Sequence, residues 1–105
     1  MTRLALASRL DLPAAAPLHA AILARRGAAL ELDAGAVGHL GTLCLQVLIA
    51  AAAEWRDCGQ SLTVAPVSDA FAAALATYGL TPDAVQSRPA RAPDPASTAE
   101  TATWA

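Results

Sequence analysis

The chain contains no lysine; its seven basic side chains are all arginine. Together with the abundance of alanine, this reads as a coding bias rather than a functional signal. Its consequence is an absence of basic patches. The formal net charge is −2 and the arginines are scattered, so nucleic acid is not an expected partner, because phosphate binding needs a concentrated basic face. The one adjacent pair, Arg25-Arg26, falls at the end of an expected helix, where cations offset the negative end of the dipole. Aromatic residues make up only 4% of the chain. Much of the 55% apolar share is alanine, which buries little area. The core must therefore rest on scattered Leu, Val, Ile, Phe and Tyr side chains.

Long hydrophobic runs are also missing. Leu43 to Ala53 is interrupted by Gln46 and falls far short of the roughly 20 residues a membrane span needs. No signal peptide is expected at the start, where Arg3 and Arg9 flank no sustained apolar stretch. Only two cysteines occur, Cys44 and Cys58, fourteen positions apart in one expected helix. At 1.5 Å rise per residue they lie roughly 21 Å apart and cannot bridge within that helix. Two reduced thiols suit a cytoplasmic location.

The 105 residues predict one small domain, which buries roughly 60% of the surface its unfolded chain exposes. Residues 3–7 read as a strand through the alternation of Leu4 and Leu6. A turn at 10–13 follows, then a helix over 13–26 whose inner edge holds Leu18 and Ile22, with Ala15 and Arg25 beside them. Residues 28–33 form the second strand. Gly35 to Gly41 is a loop, and Thr42 is the expected N-cap of a helix reaching Asp57 or Cys58. Cys44, Val47, Leu48, Ala51 and Trp55 share a face of that helix, and burying the larger ones contributes about 1.5–3 kcal/mol each. Residues 62–67 give the third strand, and Pro66 either limits its length or places it at an edge. Ser68 caps a last helix lined by Phe71, Leu75 and Tyr78. From Thr81 the Pro/Ala-rich composition predicts a disordered tail over 81–105, which includes Trp104, so the domain is expected at 1–80.

Strands alternating with helices predict an α/β fold: a small, mixed, largely parallel sheet of three to four strands with helices mainly on one face. No catalytic set is expected. Asp33, His39 and Thr42 could be drawn as a triad, but there is no nucleophile elbow, and threonine is a poor nucleophile without a positioned base. Asp33 reads better as a strand-ending residue that accepts from the loop amides after it. His19 and His39 have no partners at metal-ligand spacing, so neither a metal nor a cofactor is predicted. The glycines at 35, 38 and 41 form no phosphate loop and no dinucleotide fingerprint. What remains is a recognition surface. Gln46 either points to solvent or joins Leu43 and Ile49 on a partner-facing side of the helix.

Leu10-Asp11-Leu12 with Ala14 to Leu18, Leu32-Asp33-Ala34 with Val37, Leu40 and Thr42, Leu45-Gln46-Val47-Leu48, and Pro66-Val67-Ser68 with Phe71, Leu75 and Gly79-Leu80 resemble the STAS family. These are the small domains of anti-sigma factor antagonists and sulfate transporters. The likeness runs over residues 4–80 and is nearest the short bacterial branch associated with chemotaxis gene clusters. It implies a non-enzymatic, cytoplasmic regulator that binds a protein: a kinase, an anti-sigma factor or a chemotaxis component. Another branch with threonine at this point, the accessory subunit of a bacterial phospholipid transporter, implies docking on an ATPase instead. Self-association into a homodimer is left open. Phosphorylatable members open the helix with Asp-Ser-Ser-Gly and are modified on the second serine. Here Gly41 replaces the acid and Leu43 stands at the acceptor, while Thr42 keeps the preceding hydroxyl. The resemblance thus implies a contact or switch surface at Gly41, Thr42, Leu43, Gln46, Asp33 and His39.

Overall fold

A computed structural model describes residues 2–87. The five strands are β1 (Thr2–Ala5), β2 (Arg9–Leu10), β3 (Leu30–Ala34), β4 (His39–Leu40) and β5 (Leu62–Val67). The three α-helices are α1 (Ala15–Leu23), α2 (Thr42–Asp57) and α3 (Asp69–Thr77), with single 3-10 turns at Leu12–Ala14 and Pro82–Val85. β1, β3 and β5 form a parallel sheet with β3 in the centre, in register Leu4↔Leu32 and Leu32↔Val64. The expected α/β class and the largely parallel three-stranded sheet are both present.

The covered face follows from alternation in β3. Leu30, Leu32 and Ala34 are completely buried, while Glu31 and Asp33 on the opposite face are half-buried. Period-two alternation with one wet face marks a sheet covered on one side only. Leu18 and Ile22 of α1, Leu45, Leu48 and Trp55 of α2, and Phe71 and Leu75 of α3 join one core with them. Trp55 also satisfies its polar end, donating from Nε1 to the carbonyl of Ala28 at 2.9 Å. On the open face Arg3 reaches across the sheet to the carboxylates of Glu31 and Asp33.

Several elements differ from the sequence expectation. The first helix is shorter than 13–26. Its start is a 3-10 turn closed by Ala14 N to Asp11 O; Ala24 N still reaches Ala20 O, but Arg25 N and Arg26 N close with three-residue turn bonds to Ile22 O and Leu23 O. Arg25 is half-buried, folded back so that Nη1 donates to Ala21 O at 2.7 Å. The start of the expected turn at 10–13 and the 35–41 loop carry the paired strands β2 (with Arg9 just before the turn) and β4, too short to carry any readable period. Tyr78, expected inside, is 48% exposed: α3 ends at Thr77, so its side chain leaves the inner stripe.

The domain also extends beyond residue 80. Val85 is fully buried, and Ser87 exchanges two backbone hydrogen bonds with Leu62, each 2.8 Å. Gln86 Oε1 accepts from Val64 N at 2.9 Å, and Ser87 Oγ donates to Gln60 O at 3.0 Å. Residues 82–87, expected in the tail, thus line the outer edge of β5. The remainder of the expected tail, with Trp104, lies outside the described residues.

The stability consequences are direct. Leu48→Ala is expected to cost about 2–5 kcal/mol, because a completely buried branched side chain leaves a cavity. Val85→Ala should cost about 1.5–3 kcal/mol, although it lies past the compositional break. Urea unfolding of both variants measures this; a silent Val85→Ala would detach the closing segment from the core.

Candidate protein-binding site

The start of α2 is built by the short β2–β4 pair. Gly41 N donates to Leu10 O at 2.7 Å, and both Gly38 N and His39 N reach Ser8 O. Cys44 Sγ donates to Asp11 O at 3.3 Å. Two strands of two residues each thereby tie the chain before α1 to the chain before α2. Gly41 must approach closely: a Cβ there would lie 3.1 Å from Leu10 O. Gly35 is tighter, since a Cβ would meet Pro66 Cγ at 2.8 Å.

Gly41 itself is the N-cap of α2, in extended conformation (φ −84°, ψ 165°), and no side chain caps the helix. Thr42, expected as the cap, is instead the first helical residue. Its Oγ1 is turned to the Tyr78 hydroxyl at 2.6 Å, joining the exposed beginning of α2 to the end of α3. The capping chemistry expected at Thr42 is found at Ser68, whose Oγ accepts from Phe71 N at 3.0 Å and donates to Val37 O at 2.6 Å.

Leu43 (46% exposed) and Gln46 lie along an open apolar groove of about 420 Å³ between α1 and α2, with His19, Ala16 and Val47 also on its walls. Leu43 and Gln46 thus share one wall of that groove, whereas Thr42 turns to Tyr78 of α3 and Gly41 lies against Leu10. His39 is exposed on β4, and a Cβ at Gly41 would lie 3.8 Å from its Nε2. Asp33 is engaged elsewhere. Its Oδ1 accepts from Gly35 N at 2.9 Å, as expected for a strand-ending carboxylate, and its Oδ2 pairs with Arg3 at 3.1 Å. These two contacts, the amide first, hold its pKa below the ordinary carboxylate value. Burial first, then the nearby Asp11 charge, pushes the Cys44 thiol up, which keeps it protonated and unreactive.

Two participants were not legible in the sequence. Tyr78 looks like a core residue by spacing, and only the early end of α3 frees its hydroxyl. His19 carries no motif, and its place in the groove depends on how α1 packs on α2. Among the described residues no group of three or more His, Cys, Asp or Glu could hold a metal ion. No helix among them is long and apolar enough to cross a membrane.

A largely parallel three-stranded sheet covered on one side by three helices defines a small α/β domain. The chain belongs to the STAS family: the family model described as "Mlab, STAS domain" matches residues 1–85. No curated protein and no solved structure matches the chain. STAS domains generally bind protein partners, so the family and the exposed junction agree. The match continues past residue 80, as the packing of the closing segment does.

Tyr78→Phe and Thr42→Val should each cost no more than about 1 kcal/mol, because their shared hydrogen bond is exposed. A double-mutant cycle should show the two losses to be non-additive; strict additivity would mean that the two hydroxyls do not interact in solution. Asp33 gives a pH signature. Its folded pKa lies below its unfolded value, so the unfolded chain takes up the proton first. The stability it lends is present above the unfolded value and is lost as pH falls through the folded one. Asp33→Asn should therefore flatten the acid limb of a urea-midpoint profile taken from roughly pH 6 to pH 2.

Proposed function

We propose that this protein is a non-enzymatic STAS regulator in bacterial signalling, in a chemotaxis-associated or anti-sigma factor antagonist role, acting in the cytoplasm. It binds its partner through the start of α2. The observation that carries this reading is the Thr42–Tyr78 contact beside the groove that holds Leu43 and Gln46. An exposed hydroxyl at the first residue of a helix, next to apolar surface with no cover among the described residues, is a contact whose chemistry can be changed without disturbing the core.

Thr42 is the proposed switch residue. A phosphoryl group on its Oγ1 would add about −1.5 to −2 charges, which the helix N-terminus favours. It would also take away the hydroxyl that Tyr78 shares and place charge at the rim of the groove. Folding would be preserved while an apolar partner surface was repelled. Leu43 cannot serve as the acceptor, so the switch of phosphorylatable relatives moves to its neighbour. Asp33 supports the loop from below rather than touching the partner, and His39 flanks the junction.

A second reading is favoured by the wording of the family match, "Mlab, STAS domain". In it the same surface docks on the ATPase of a phospholipid-type transporter, and Thr42 is a fixed contact. Affinity capture from native lysate with mass spectrometry, comparing wild type with Thr42→Glu, separates the two. The expected result is one soluble signalling protein, reduced at least about tenfold in the variant, the equivalent of 1.4 kcal/mol. Recovery of a transporter ATPase would establish the second reading. A signalling partner bound equally by both proteins would remove Thr42 from the interface.

A further inference from the structure

The two outer edges of the three-stranded sheet are finished differently. In a parallel ladder, successive residues turn their N–H and C=O groups alternately toward one neighbour and away from it. Leu30 N donates to Ser61 O, so Leu62 and Val64 of β5 turn theirs outward. Those groups are occupied: Leu62 exchanges hydrogen bonds with Ser87, and Val64 N donates to Gln86 Oε1. Pro66 has no N–H to offer. On β1, Thr2 N donates to Ala29 O and Leu6 N to Asp33 O, so the even residues face β3. Arg3 and Ala5 turn their backbone groups outward, and no strand among the described residues pairs with them.

Free edges are usually guarded by a charge, a proline or a bulge. β1 has no proline and no bulge. Its one charged side chain, Arg3, is drawn over the sheet by Glu31 and Asp33 and away from the edge. On the covered side, half-buried Leu4 borders an apolar cleft of about 180 Å³ between β1 and α1, lined also by Leu6, Pro17, Leu18 and Ala21.

We propose that this edge is an interface between two copies of the chain. β1 pairs antiparallel with β1 of a second copy about a two-fold axis at Leu4, joining two three-stranded sheets into one of six. The segment is complementary to itself in this register. Arg3 faces Ala5 of the second copy, and the two residues exchange both backbone hydrogen bonds. Leu4 faces Leu4 as the close, non-hydrogen-bonded pair, with Cα atoms about 4.5 Å apart on the cleft side. No like charges meet, because Arg3 lies opposite alanine. A strand of four residues makes a small interface, so the dimer is weak and concentration-dependent. It uses β1 rather than the α2 surface, so its failure and that of the partner-binding reading are separately observable.

Sedimentation velocity on the full chain, from micromolar to near-millimolar concentration, should show a reversible monomer–dimer equilibrium. Ala5→Pro removes an outward N–H and spares the ladder to β3, so it should weaken the dimer at least about tenfold with unchanged far-UV circular dichroism. Should Ala5→Pro unfold, a cysteine pair decides. In a Cys58→Ser background, Leu4→Cys should form an intermolecular disulfide on mild oxidation and Thr2→Cys should not. A chain that stays monomeric throughout, a dimer indifferent to Ala5→Pro, or equal cross-linking at positions 2 and 4 would each overturn the proposal. So would a monomer whose Arg3 and Ala5 amides exchange slowly with solvent, since another stretch of the chain would then cover the edge.

Discussion

Leu30, Leu32 and Ala34 all point to one side of β3, and none of them retains any contact with water. That arrangement constrains everything else. A three-stranded sheet offers little area, so one helix cannot cover it, and side chains from α1, α2 and α3 converge on the same residues. The polar ends of this core are tied off individually. Trp55 is closed by the Ala28 carbonyl, and Ser68 serves both the start of α3 and the Val37 carbonyl. The opposite face carries Arg3, Glu31 and Asp33, a surface ion-pair group whose contribution to stability is small.

The proposed partner-binding surface depends on a second, smaller constraint. A helix whose first turn is free would sample many directions, and the groove beside Leu43 would have no fixed shape. The β2–β4 pair prevents this by fixing Gly41 against Leu10, and the Cys44 thiol adds a contact to Asp11. Thr42 is thereby presented from a rigid base, although the residues around it form a loop-rich region. Rigid support beneath an exposed contact is the usual design where a loop carries recognition. The switch proposed at Thr42 would have to alter affinity without altering the fold, and an exposed hydroxyl on a fixed helix start is compatible with that.

The long elements were legible because burial imposes a period. Leu32 between Glu31 and Asp33 announces a strand with one wet face, and Cys44, Leu48, Ala51 and Trp55 announce a helix with one dry stripe. Asp33 was legible as a strand-ending acceptor because its partner is two residues away. What escaped was set by tertiary geometry. β2 and β4 are two residues each, below the length at which alternation exists. Thr42 has the chemistry of a cap, but Gly41 takes the extended conformation a cap needs and Tyr78 claims the hydroxyl. The 82–87 segment follows a composition typical of disorder. It is held by one buried valine, by the backbone pair of Ser87 with Leu62 and by the Gln86 side chain on Val64, none of which a local pattern reports.

The closing segment also bears on how the chain is made. β5 is synthesised before the residues that seal its outer edge, and 21 residues separate Pro66 from Ser87. At ordinary translation rates that interval lasts roughly one to four seconds. Once β5 has left the ribosome, the backbone groups of Leu62 and Val64 have no partner until residues 82–87 follow, and an unpaired strand edge is a template for association with other chains. A chain released from the ribosome before residue 82 would carry that unsealed edge permanently. The last half-dozen described residues thus leave β5 with the outward groups of Leu62 and Val64 paired, so that in the finished domain these positions offer no template to another chain.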